Sequence, residues 1–252
     1  MSLTLNMVGG GGGGLSPGNI TIHVNAPIGS TVELSLSGNV VKTILPNKAL
    51  TNSDGRTADY YYSTSITGTY TVTASLGSLS LSKTVTVSSV GEYDVTIKFL
   101  ILYDYGDECS DLTGGWSYIM SGAGTVTLTK NADNMVFSGS TTATASTNAC
   151  VNMANLIDVS GFSTFKILYD LSRTGSGDPT SAGLRKNVPT TGGGYDGDAN
   201  FLAGATLYVG TNLTGSVSIS NVTVPACAYV IFWVHKNYAS SVTVTIKRIW
   251  LE

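Results

Sequence analysis

Three aromatic residues carry the chemistry best suited to a ligand: Trp116, Tyr118 and Tyr195. A pyranose ring offers apolar C–H faces and a rim of hydroxyls. It is therefore held by an exposed aromatic face beside a few polar groups. Trp116 and Tyr118 precede the first clear strand pattern of the C-terminal part, and Tyr195 lies in the Gly-rich, poorly patterned stretch 172–201. A loop of that length is uncommon unless it binds a ligand or contacts another subunit. Trp116 fits a core or lid position equally well. Trp233 and Trp250 alternate with apolar neighbours and read as core residues. Tyr60, Tyr61 and Tyr62 are consecutive, so on a strand at least one must face outward, as a contact surface or an edge-strand face.

Catalytic machinery is not legible. His23 and His235 are far apart and read as structural strand residues, and no GxSxG, HExxH, Walker A or CxxC pattern occurs. Cys227 and His235 leave open a nucleophile–base pair, without a third group to orient the base. Cys109, Cys150 and Cys227 form an odd set, read as buried or half-buried thiols with one disulfide left open. Asp196-Gly-Asp198-Ala-Asn200 spaces three oxygen donors as calcium loops do, but lacks a distal Glu, and Asp and Asn are common turn residues. No metal and no cofactor is expected. Asp104, Asp107, Glu108 and Asp111 read as a solvated acidic linker.

The elements that must position these residues are strands. The chain has 252 residues, is 42% hydrophobic and only 12% charged, with a net charge of -3. Hydrophobic content at that level supplies real cores. The 13 Lys and Arg are scattered rather than clustered, which argues against a nucleic-acid partner. No apolar run reaches the ~20 residues of a spanning helix, so no membrane insertion is expected. Short alternating runs follow one another from Asn19 to Leu251 with Gly, Pro, Asn and Asp between them, an all-β pattern.

Three parts are expected: an arm over 1–15, a sandwich over 16–102 and a second sandwich over 103–252. In the arm, Leu3, Leu5 and Met7 alternate with polar residues, and the six glycines Gly9–Gly14 make a swivel. Such a strand can add to a neighbouring subunit's sheet edge, or it can fray. In the second part, Tyr70, Val72, Ala74 and Leu76 share one face, and the strand spacing implies an antiparallel sandwich. Lys83 interrupts the inward set Leu79, Leu81, Val85, Val87, which implies a bulge or an edge strand. From Phe99 to Tyr103 both faces are apolar, as in a strand buried on both sides.

The runs Ala26-Pro-Ile-Gly-Ser-Thr-Val-Glu-Leu, Thr51-Asn-Ser-Asp-Gly-Arg and Gly68-Thr-Tyr-Thr-Val-Thr-Ala-Ser resemble the Ig-like, prealbumin-like modules of surface proteins. That resemblance implies a β-sandwich whose role is spacing and display. Gly115-Trp116, Ile157-Asp-Val-Ser-Gly-Phe-Ser-Thr-Phe-Lys-Ile-Leu-Tyr-Asp-Leu and Val244-Thr-Ile-Lys-Arg-Ile-Trp-Leu resemble galactose-binding-like jelly rolls. Those implied a jelly-roll fold, the architecture of many carbohydrate-binding modules. The opening Ser2-Leu-Thr-Leu-Asn-Met-Val-Gly-Gly-Gly, together with Ala26-Pro-Ile-Gly-Ser, Glu92-Tyr-Asp-Val-Thr-Ile and Asp111-Leu-Thr-Gly-Gly-Trp116, resembles tail or capsid-associated structural proteins of bacteriophages that infect Gram-positive gut bacteria.

The N-terminus shows no basic residue and no apolar core of a secretory signal. Outdoor composition without that signal leads to the expectation of a virion protein, assembled in the bacterial cytoplasm and released by lysis. The expected role is non-enzymatic: decoration, baseplate or tail-tip accessory. The arm would dock on other virion proteins, the protein would self-associate, and the jelly roll would meet a host-surface glycan. The alternative is a carbohydrate-binding or adhesive module of a bacterial surface protein.

Overall fold

Ile20-Thr-Ile-His-Val-Asn-Ala alternates buried and half-buried residues, and this alternation sets the first strand at the centre of a sheet. In the computed structural model, the described residues are 19–53, 56–108, 116–121, 124–141, 147–153, 157–175, 180–186, 201–219, 227–236 and 240–252. Leu3, Leu5 and Met7 of the arm lie outside them, as do Tyr195, Asp196, Asp198 and Asn200. The chain divides into two units, Met1–Ile97 and Lys98–Glu252. Apart from one 3-10 turn at Pro46–Lys48, every regular element among the described residues is a strand.

The first unit holds β1 (Ile20–Pro27), β2 (Thr31–Leu36), β3 (Asn39–Ile44), β4 (Leu50–Thr51), β5 (Thr57–Thr64), β6 (Gly68–Leu76), β7 (Leu79–Val87) and β8 (Gly91–Thr96). They form two four-stranded sheets, β4-β5-β1-β8 and β3-β2-β6-β7. Ile20, Ile22, Val24 and Tyr60 from the first sheet and Val32, Leu34, Tyr70 and Val72 from the second are buried. Tyr62 meets Tyr70 edge-to-face with centroids 6.2 Å apart, a favoured aromatic geometry. The sandwich is not wholly antiparallel, as the spacing alone suggested, because β1 and β8 run parallel. Strand spacing reveals the hairpins; it carries no information on how the last strand returns to the first.

Two local signals are explained here. Lys83 sits on β7, which pairs only with β6 and without any shift of register, so the edge-strand alternative holds and the bulge does not. Its ammonium donates to the Thr96 carbonyl at 2.5 Å. The β2–β3 turn places Ser37 and Gly38 both at positive φ, 51° and 81°, the two-residue turn whose twist suits a hairpin.

The second unit holds β9 (Leu100–Asp104), β10 (Asp107–Glu108), β11 (Trp116–Ser121), β12 (Gly124–Lys130), β13 (Met135–Thr141), β14 (Thr147–Met153), β15 (Ile157–Asp158), β16 (Thr164–Thr174), β17 (Thr180–Arg185), β18 (Phe201–Leu207), β19 (Gly210–Ser218), β20 (Cys227–Lys236) and β21 (Ser240–Leu251). One sheet runs β11-β14-β20-β17-β18, with β15 beside β20. The other is centred on β21, which pairs with β16 along one side; β13 and then β9 share its other side. Every strand pair described in this unit is antiparallel. The core joins Phe137, Phe165, Ile167 and Tyr169 with Ala182, Leu184, Leu202 and Ile249.

Leu102 and Tyr103 belong to this core, which accounts for the doubly apolar run at Phe99–Tyr103. Of the acidic residues after it, Asp104 is an ion-pair partner and Asp107 and Glu108 form β10, while Asp111 lies outside the described residues. Tyr105 and Gly106 turn β9 into β10 at positive φ, and Asp104 pairs with Arg248 at 2.8 Å. Trp250 is buried yet outside the core cluster. A register shift in β21 puts Ile249 and Leu251 inward. Trp250 lies under Lys166 and Arg248, whose cationic groups are 5.9 and 5.8 Å from its ring.

Candidate functional site

Trp116 and Tyr118 both lie on β11, in register opposite Met153 and Val151 of β14. Val151 faces Phe232 of β20, and Phe232 faces Ala182 of β17. The third sequence candidate, Tyr195, falls outside the described residues.

Backbone register settles two cysteine questions. Cys227 and His235 both belong to β20, eight positions apart. At about 3.3 Å per residue their backbones are ~26 Å apart, so they form no nucleophile–base pair within the chain. Cys150 stands opposite Trp233, six positions from Cys227. That separation of ~20 Å is far beyond the ~7 Å Cα limit of a disulfide. Cys109 lies outside the described residues.

In the second unit, an exposed aromatic that sequence reading passed over lines a pocket. Leu207 ends β18 with its side chain in the core, and the next residue, Tyr208, is 69% exposed. Buried Tyr169 fixes this turn: its hydroxyl accepts a hydrogen bond from the Tyr208 amide at 2.9 Å. Burial pushes the Tyr169 phenol up, so it stays neutral and keeps its proton. Tyr208 lines a pocket of about 230 Å³ together with Leu171, Arg173, Thr180, Thr206, Leu207 and Val209. An exposed ring, apolar Val209 and the hydroxyls and guanidinium of Thr180, Thr206 and Arg173 supply what a sugar ring needs. The volume is below the ~300–1,000 Å³ of enclosed small-molecule sites and suits one ring rather than a long chain. Tyr208 escaped notice because the run Ala205-Thr-Leu-Tyr-Val reads as a continued strand; only the end of β18 at Leu207 turns it outward.

In the first unit, the outward face of β5-β1-β8 is polar. His23, which sequence reading takes as a structural residue, shares a hydrogen bond between its Nδ1 and Asp59 Oδ2 at 3.0 Å. Asn52 donates through its Nδ2 to Asn25 Oδ1 at 3.2 Å and to Thr57 Oγ1 at 3.0 Å. Among the described residues no cluster of His, Cys, Asp and Glu has the geometry of a metal site.

The sequence matches no protein-family model, and no curated protein matches it. Solved structures do show similarity. One comes from a study of promiscuous specificity in carbohydrate-binding modules of the β-sandwich superfamily: 12% identity, 93% of this chain, 98% of that one, TM-score 0.42. Another is the family 11 carbohydrate-binding module from Clostridium thermocellum with a β-1,3-1,4-mixed-linked tetrasaccharide: 12% identity, 61% and 94% covered, TM-score 0.37. A third is the enzymatically active domain of tailspike protein 4 of bacteriophage CBA120, at 18% identity and TM-score 0.33. The match covers 64% of this chain but 25% of that domain. At these values no residue role passes from those proteins to this chain.

Proposed function

We propose that this chain is a non-catalytic display protein whose second unit binds a glycan. The observation that carries this reading is Tyr208, 69% exposed, lining a small pocket beside Arg173 and Thr206. A large aromatic ring left in water at a sandwich edge adds nothing to the core, and beside hydrogen-bonding groups it makes a stacking platform. Trp116, Tyr118 and Tyr195 are further candidates for the same role, on sequence grounds.

The test is a glycan array followed by titration with a bound oligosaccharide. Tyr208→Ala is expected to weaken binding about tenfold. It should leave the melting temperature unchanged, because the ring is exposed and only its backbone amide is used by Tyr169. Equal affinity in wild type and Tyr208→Ala overturns the assignment of this pocket. Parallel Trp116→Ala and Tyr195→Ala variants decide between it and the sequence candidates.

The setting we propose is a bacteriophage particle, on the strength of the sequence resemblance in the arm and around Glu92 and Asp111. There the segment with Leu3, Leu5 and Met7 docks on other virion proteins, and copies self-associate. Deleting residues 1–14 is expected to lower incorporation into purified particles, measured by mass spectrometry; unchanged incorporation defeats the docking idea. The alternative, a carbohydrate-binding module of a bacterial surface protein, shares the glycan prediction and differs in finding the chain on cells rather than particles.

A further inference from the structure

The first unit carries a second surface with the make-up of a ligand site, on the sheet that the reading above treats only as a spacer. Register arranges the outward residues of β5, β1 and β8 in three rows: Ser63–Thr21–Glu92, Tyr61–His23–Asp94 and Asp59–Asn25–Thr96. The alternate positions Ile20, Ile22 and Val24 are fully buried, so the grid faces solvent as a block. Of the grid residues, His23, Asn25, Asp59, Glu92, Asp94 and Thr96 line an open groove of about 460 Å³ with Asn52 and Val95. Tyr61, the register partner of His23, is 55% exposed. Directly opposed side chains in a sheet stand ~5 Å apart, so Tyr61 shares a face with His23, which lines the groove.

Stability alone does not account for this composition. Asp59, Glu92 and Asp94 line the groove, while no Lys or Arg does. Glu92 and Asp94 stand two positions apart on β8, and Asp59 lies across β1 on β5, so three carboxylates share one face. His23 engages Asp59 through Nδ1, which leaves its other ring nitrogen, Nε2, outside that contact. Asn52 occupies the Asn25 Oδ1 and leaves the Asn25 amide nitrogen to donate elsewhere. The groove thus presents carboxylate acceptors, an amide donor, an imidazole nitrogen and an aromatic ring.

We propose that this groove binds a saccharide, neutral or amine-bearing, with Tyr61 against a sugar C–H face. Glu92 and Asp94 accept hydrogen bonds from sugar hydroxyls, and the Asn25 amide donates to a ring or hydroxyl oxygen. Each ionised carboxylate accepts from two or more donors, which suits neighbouring hydroxyls on one ring. The negative groove disfavours sulfated, phosphorylated or carboxylated glycans, and a primary amine on the sugar strengthens binding. The proposal extends the glycan reading to a unit and a set of residues separate from Tyr208, so the two stand or fall independently.

The experiment uses the full chain on an array of neutral, amine-bearing and acidic oligosaccharides, followed by calorimetric titration with chitosan and cello-oligosaccharides. Tyr61→Ala and Asp94→Asn are compared with Tyr208→Ala. Near-UV circular dichroism checks that each variant is folded. The expected result is a neutral or amine-bearing ligand whose affinity falls at least about tenfold in Tyr61→Ala and Asp94→Asn and is unchanged in Tyr208→Ala. Binding lost only in Tyr208→Ala overturns this site and keeps the pocket of the second unit. Loss only in the first-unit variants supports this site for that ligand and leaves the second-unit pocket to be judged on the ligands whose binding Tyr208→Ala weakens. A preference for acidic glycans, no glycan binding at all, or capture of basic peptides alone overturns the proposal.

Discussion

Tyr93 shows how few atoms are needed to change a side chain's chemistry. Its hydroxyl accepts from the Ser89 and Ser88 amides at 3.1 and 3.2 Å and donates to the Ser89 carbonyl at 3.0 Å. The Ser89 side chain and backbone, then Ser88, hold its pKa down at about 8 from the usual 10. A spectrophotometric titration is expected to show one of the 13 tyrosines ionising near pH 8 and to lose that step in Tyr93→Phe. No phenolate before the ordinary range would mean that the hydrogen bonds are not kept in solution. Because the folded value is depressed, the phenolate's contribution to stability is complete only above the unfolded value. It is lost as pH falls through 8. At neutral pH it is therefore small. Asp170 behaves in the same direction at acid pH. The Lys247 ammonium at 2.8 Å and the Asn212 amide hold its carboxyl below the usual range. Its contribution is present above the unfolded carboxylate value and disappears below about pH 4. The melting temperature of wild type should fall more steeply there than that of Asp170→Asn.

At the scale of the element, turns and edges decide which pairings form. Gly38 and Gly106 both hold positive φ, but they differ in surroundings. A Cβ on Gly38 would meet nothing within 4 Å, whereas one on Gly106 would run into the Ala132 carbonyl. Gly38→Ala is expected to cost about 1 kcal/mol, the conformational term alone. Gly106→Ala should exceed ~2 kcal/mol, because backbone must also shift. Denaturant unfolding of the two variants measures the difference. Lys83 protects another kind of feature. An edge strand without charge is a template for pairing with another chain, and a Lys in the inward set of β7 blocks that. Lys83→Val is expected to raise self-association in light scattering; an unchanged mass would assign the Lys no protective role. Lys83 was legible in the sequence because it breaks a period-2 pattern. The parallel partnership of β1 with β8 was not, since nothing local to either strand encodes it.

At the scale of the molecule, each unit closes its own core, so each has the means to fold alone. The second unit begins at Lys98 and includes β9, with Leu102 and Tyr103 in the core cluster. A fragment 98–252 is expected to unfold cooperatively. A fragment 105–252 loses β9 and the Asp104 carboxylate from Arg248, a residue only 8% exposed. Removing such groups typically costs several kcal/mol, so this shorter fragment should be much less stable or unfolded. Equal melting temperatures for the two fragments would show that β9 is dispensable.

Period-2 alternation and turn residues by themselves determined that the chain is all-β. They also showed which face of β6 is buried, that one tyrosine of Tyr60–Tyr62 points outward, and that Phe99–Tyr103 is covered on both sides. Such properties depend on residues two positions apart, and burial of apolar surface acts on that short range. Tertiary structure alone decided what stands beside what. It set Glu92 next to Thr21 and Asp94 next to His23, brought Tyr169 under Tyr208, and kept Cys227 away from both His235 and Cys150. Those neighbours come from strands far apart in sequence, and their register is fixed by the packing of the whole sandwich rather than by either strand's own pattern.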